Sequence, residues 1–124
     1  MMILYSSTAS PFGRKIKLAA HALGLIDEIS VRPTDTMNPE DEIRTVNPLG
    51  KIPSLVVEGT ALYDSRVIME YFDNCAGGGR IIPAVGIERY ACLNCIHIVY
   101  LCWLLLYCIM KYTVLYNTIQ YIVA

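Results

Sequence analysis

Residues 47–55 read NPLGKIPSL, two prolines and a glycine set between a polar segment (39–46) and a short apolar run (55–57). Proline cannot donate to a sheet ladder, so inside a sheet region it sits at a strand's first residue or on an edge. This stretch is therefore a shaped turn leading into a strand, and its centre is the Ile52–Pro53 bond. X–Pro bonds are the ones that populate the cis form readily, and a cis proline ahead of a strand exposes the neighbouring N–H and C=O groups to a ligand. Ile52 would then hold an extended, peptide-like molecule through its main chain. Spacing alone leaves a second reading open, in which Pro53 is an ordinary trans proline that opens an edge strand.

The flanking sequence supplies the elements around that turn. Residues 2–5 are a strand-length apolar run. After the polar run 6–10, Pro11 suits the first turn of a helix in which Phe12, Ile16, Ala19, Ala20 and Leu23 return on one face and Arg14, Lys15 and Lys17 point away. Gly24 ends it. Ile29, Val31 and Pro33 suggest a short alternating strand, and residues 39–46 a brief polar helix or turn. Residues 54–57 and 60–63 are strands joined by Glu58–Gly59, a two-residue hairpin connection. A last helix opens at Asp64–Ser65, either of which can cap it, and buries Val67, Ile68, Tyr71, Phe72 and Cys75. The order is βαβαββα.

Three features in sequence, SPFGRK, NPLGKIPSLV and ALYDSRVIMEYFD, together resemble the N-terminal thioredoxin-like domain of the soluble glutathione transferases, of the tau, zeta and bacterial serine type. The resemblance covers residues 1–83. It implies an α/β, thioredoxin-like glutathione-binding domain and selects the cis form of Pro53. It also implies glutathione as substrate, a small electrophile as co-substrate, a homodimer and no metal.

Site residues follow from the same resemblance. Ser10, just before the helix opened by Pro11, corresponds to the serine that donates a hydrogen bond to the glutathione thiolate and so lowers its pKa; as a residue alone it is equally a plain N-cap. Thr8 is the next nearest candidate. Glutaredoxins and omega-like transferases carry a cysteine where Ser10 stands, so thiol–disulfide exchange is not expected here. Asp64 and Ser65, at a helix N-terminus, would meet the ammonium and carboxylate of the γ-glutamyl end, or serve only as a cap. Most of the family has Glu–Ser there, and aspartate is one methylene shorter. Lys51 would reach the glycine carboxylate, with Ile52 and Pro53 holding the centre of the tripeptide.

Composition divides the chain in two. Residues 1–83 carry eight Lys/Arg and ten Asp/Glu, whereas 84–124 carry only Glu88, Arg89 and Lys111. The net charge of −1 argues against a nucleic-acid partner. The hydrophobic fraction of 55% exceeds the usual range of soluble domains, and the excess lies in the second piece. No signal peptide is expected at the start, and the absence of cysteine before Cys75 fits a reducing, cytoplasmic setting. Cys92 and Cys95 form a CxxC that follows no strand and has no second pair, so it reads as coincidence.

The glycine run 77–79 marks a boundary, and residues 84–93 look like the start of the helical second domain of the family. Beyond Leu93 the resemblance stops. Between residues 91 and 110 only Asn94 and His97 interrupt an apolar run long enough to cross a bilayer. Three readings of 84–124 stand side by side: a truncated or frame-shifted replacement of the helical domain, a membrane-inserted anchor over 91–110, and a buried helix of a partner-dependent fold. The function expected is therefore glutathione binding with conjugation to an electrophile. Its alternatives are a non-enzymatic glutathione-binding module, membrane-associated through the tail, or an inactive truncated product.

Overall fold

The computed structural model describes residues 1–97. Its elements are β1 (Met2–Ser6), α1 (Pro11–Leu23), a 3-10 turn (Ile26–Glu28), β2 (Ile29–Pro33), α2 (Ile43–Val46), β3 (Ser54–Val57), β4 (Thr60–Tyr63) and α3 (Ser65–Cys75). This is the βαβαββα order that the sequence implies. The four strands form one sheet in the order β2-β1-β3-β4. β1 and β2 run parallel across the α1 crossover, while β1–β3 and β3–β4 are antiparallel. A mixed sheet of this kind with its helices is the thioredoxin-like arrangement. The chain divides into two compact units, Met1–Ala84 and Val85–Ala124; the described part of the second is a helix over 87–97.

Period-two burial in β1 and period-3.6 burial in α1 and α3 meet in one core. Met2 and Leu4 of β1, Ile16, Ala20 and Leu23 of α1, Leu55 of β3 and Ile68 and Phe72 of α3 form a single cluster. Leu4, Ile16, Leu55, Ile68 and Phe72 have no exposed surface, and each such side chain contributes about 1.5–3 kcal/mol on burial. Tyr5, of opposite parity to Leu4, is buried outside that cluster, as alternation along a strand requires.

Local chemistry sets the ends of the elements. Pro11 stands in the first turn of α1, and at the other end the Gly24 and Leu25 N–H groups close on His21 and Ala20 carbonyls. Glu58 and Gly59 both have positive φ, 49° and 78°, which is the backbone a type I′ hairpin requires. A Cβ at Gly13 would lie 2.1 Å from Ser6 Oγ, so the lack of a side chain there lets the first turn of α1 rest on the end of β1.

Some expected burial is not realised. Val67 is 47% exposed and Cys75 is exposed. The α3 stripe narrows to Ser65, Ile68, Phe72 and Asp73: Val67 lies a quarter-turn off it, and Cys75 falls in the last turn, where the chain leaves for the glycine loop. Val31 is 41% exposed because β2 is an edge strand. Lys15 does not point away from the body of the domain; it is half-buried, with Nζ 5.8 Å from the centroid of the Phe12 ring. Most of the expected membrane-crossing stretch 91–110 lies outside the described residues, as does the run 112–123. Among the described residues no helix is long and apolar enough to cross a membrane.

Candidate functional site

The sheet register brings the three sequence motifs together. Tyr5 of β1 pairs with Ser54 of β3, which pairs with Tyr63 of β4. The loop leaving β1, the loop entering β3 and the turn leaving β4 therefore share one end of the sheet. Ser10 lies on the first, Lys51, Ile52 and Pro53 on the second, Asp64 and Ser65 on the third. Helices α1 and α3 both begin there.

Ser10 is the N-cap of α1. Its backbone is extended (φ −75°, ψ 117°), and its hydroxyl oxygen accepts from Gly13 N at 3.1 Å. The plain-cap reading is thus realised, and it leaves the hydroxyl hydrogen available to a ligand because the cap uses the oxygen only as acceptor. Arg14 Nε donates to the Thr8 carbonyl at 3.0 Å, fastening the loop to the helix. Thr8 is exposed and Ser10 half-buried.

The Ile52–Pro53 bond is cis. Among the described residues nothing bonds to the main-chain N–H or C=O of Ile52. Pro53 is buried and Lys51 exposed. The loop is shaped by a residue that the sequence reading passed over. Asn47, 1% exposed, donates from Nδ2 to the Lys51 carbonyl (3.0 Å) and to Ser54 Oγ (3.1 Å), and its Oδ1 accepts from Leu49 N (2.9 Å). Ser54 Oγ donates in turn to the Lys51 carbonyl at 2.9 Å. The signal for this was an asparagine ahead of Pro-Leu-Gly, the residue type whose side chain folds back on a turn two residues on.

Asp64 caps α3 from an unusual backbone, φ 67° and ψ 125°. A non-glycine residue there costs of order 1–3 kcal/mol and persists where the surroundings over-determine it, as at ligand sites. Asp64 Oδ1 accepts from Arg66 N at 2.9 Å, and Oδ2 accepts from Arg66 Nη2 at 2.9 Å. Bonding to the Arg66 guanidinium, opposed by partial burial, holds the Asp64 carboxyl below its ordinary range. Burial pushes the Lys15 ammonium down; Asp64 opposes that shift and Arg66 adds to it. Lys15 of α1 therefore belongs to the same electrostatic group as Asp64 and Arg66. Ser65 is 7% exposed, and its hydroxyl has no partner among the described residues.

A cavity of about 370 Å³ opens on the β2 side of the β1–α1 loop, bordered by Ser6, Ser7, Thr8, Pro33 and Thr34. It contains none of the six expected site residues. Among the described residues no group of three His, Cys, Asp or Glu side chains is placed to hold a metal.

The family model for the glutathione S-transferase N-terminal domain matches residues 9–75, more than half of the chain. Glutathione S-transferase L1 of Arabidopsis thaliana is 30% identical over 87 residues, covering 69% of this chain and 37% of its own length. A stringent starvation protein A homolog of Coxiella burnetii is 26% identical over 92 residues, 74% of this chain and 43% of that one. Among solved structures, a glutathione S-transferase from Methylobacillus flagellatus KT with glutathione bound superposes with a TM-score of 0.67 at 35% identity, over 73% of this chain and 45% of its own. The chain thus spans less than half the length of these relatives. Residues 9–75 hold all six expected site residues, on all three segments that meet at the shared end of the sheet, and by that match the chain belongs to the glutathione S-transferase family through its N-terminal domain.

Proposed function

We propose that residues 1–83 form a glutathione-binding domain and that the bound thiolate is conjugated to a small electrophile. The observation that carries this is the convergence of the three loops at one sheet end, with the Ile52 main chain unpaired there. In this reading the cysteinyl backbone pairs with Ile52 N–H and C=O beside Pro53, as an added extended segment. The γ-glutamyl carboxylate meets the Ser65 hydroxyl and the N–H groups opening α3, where the helix dipole favours an anion. Asp64 stands at the same pole, its carboxylate engaged by Arg66. Lys51 faces the glycine carboxylate.

Ser10 then donates its hydroxyl hydrogen to the sulfur. The thiol proton passes to solvent, and the thiolate attacks the electrophilic carbon. An S–C bond forms as the leaving group departs with its electron pair. A hydrogen bond that favours thiolate over thiol by about 1.4 kcal/mol lowers the thiol pKa by one unit. Ser10→Ala is therefore expected to raise the pKa of bound glutathione and to lower the rate near neutral pH by about tenfold or more, with little change in affinity. A pH series of thiolate absorbance on the parent, Ser10→Ala and Thr8→Ala proteins tests this. A shift in the Thr8 variant alone would move the role two residues upstream.

A further inference from the structure

Arg66 closes on Asp64 more completely than a helix cap needs. The cap itself is one bond, Arg66 N to Asp64 Oδ1. The guanidinium adds Nε to Oδ1 at 3.3 Å and Nη2 to Oδ2 at 2.9 Å, so both carboxylate oxygens are engaged. Lys15 brings a second cation to the same carboxylate from α1. Guanidinium and ammonium thus both act on the Asp64 carboxylate. Beside them the Ser65 hydroxyl, on a residue 93% buried and without a partner among the described residues, stands at the first turn of an eleven-residue helix. Hydroxyl, helix N–H groups, guanidinium and ammonium all favour an incoming carboxylate. An incoming ammonium would have to displace the guanidinium or share the carboxylate with it.

We propose that Arg66 is a specificity-determining residue of this site: by occupying Asp64 it makes the γ-glutamyl pole read the ligand's α-carboxylate and disregard its α-ammonium. The site then accepts thiol peptides of the glutathione type whose amino group is absent or acylated as well as glutathione itself. This rests on the glutathione reading above.

The test is calorimetric titration of the full chain with glutathione and with glutaryl-cysteinyl-glycine, the same molecule without its amino group. The parent is expected to bind the two within about threefold of each other. Arg66→Gln, which releases Asp64, is expected to favour glutathione by about tenfold or more, with Arg66→Lys in between because it keeps the charge without the two-pronged contact. The Arg66 side chain is 48% exposed, and the parent comparison by itself decides the matter should a variant fail to fold. A parent preference for glutathione above about threefold, or a folded Arg66→Gln protein with the parent's ratio, overturns the inference and leaves the glutathione reading intact. A folded parent that binds neither peptide overturns both.

Discussion

At Asp64 a side chain is asked to do two things at once, and its backbone bears the cost. The residue caps α3 and presents a carboxylate at the candidate site, yet its φ of 67° is one that only glycine adopts freely. Replacing it with glycine removes the strain and sacrifices only a few tenths of a kcal/mol of capping, whereas alanine keeps the strain and loses the cap. Asp64→Gly is accordingly expected to be more stable than Asp64→Ala by about 1 kcal/mol or more. Both should lose the low-pH sensitivity of the parent carboxylate. Urea unfolding of the three proteins at neutral pH gives the comparison, and equal stability of the two variants would show that the Asp64 backbone is unstrained. An aspartate at a position that glycine would occupy without strain fits a ligand-facing role, which is the stability–function exchange seen where sites are built on strained positions.

Among the described elements, α3 is the one whose two ends both act through aspartates. Asp73, 5% exposed, accepts from Gly79 N at 2.8 Å, Arg80 N at 2.9 Å and Ile81 N at 2.8 Å, clamping the glycine-rich exit of the helix. Burial alone would raise its carboxyl, and the N–H groups of Ile81, Gly79, Arg80 and Ile82 outweigh it, so the folded value lies below the ordinary one. A carboxyl depressed on folding contributes stability above its unfolded pKa of about 3.9, and that contribution is lost as pH falls through the lower folded value. Asp73→Asn is expected to cost about 1.5–3 kcal/mol at neutral pH and to flatten the acid limb of the stability curve below about pH 4. An unchanged acid limb would remove Asp73 from the clamp. Elements and turns were legible in the sequence because their chemistry is local: Pro11, Gly24, Glu58–Gly59 and the Ser10 and Asp64 caps act within a few residues of themselves. The Asp73 clamp, the Asn47 loop and the inward turn of Lys15 were not. The Asp73 clamp depends on where the chain returns after the glycine run, and Asn47 and Lys15 on which way a polar side chain turns, and a helical pattern of charge and apolarity carries no record of either.

For the molecule as a whole, the core cluster falls entirely within Met1–Ala84, and so do all six expected site residues. Binding energy and folding energy are therefore coupled inside one unit of modest size, whose net stability is expected to be several kcal/mol at most. A ligand that binds only the folded state must then move its melting temperature visibly. At a glutathione concentration about a hundred times Kd the stabilisation is about 2.7 kcal/mol, and for a domain of this size each kcal/mol shifts Tm by roughly 4–8 °C, giving a rise of roughly 10–20 °C. The segment ending at Pro83 is expected to melt in one cooperative transition and to show that rise. In Ser65→Ala, loss of a hydrogen bond to a charged carboxylate costs about 1.5–3 kcal/mol of affinity, which cancels most of the shift at the same concentration. Differential scanning calorimetry of the segment and its Ser65→Ala variant, with and without glutathione, reads all three. A broad, non-cooperative melt would place the domain boundary elsewhere. A sharp melt unmoved by millimolar glutathione would leave the thioredoxin-like fold standing and take the ligand away from it.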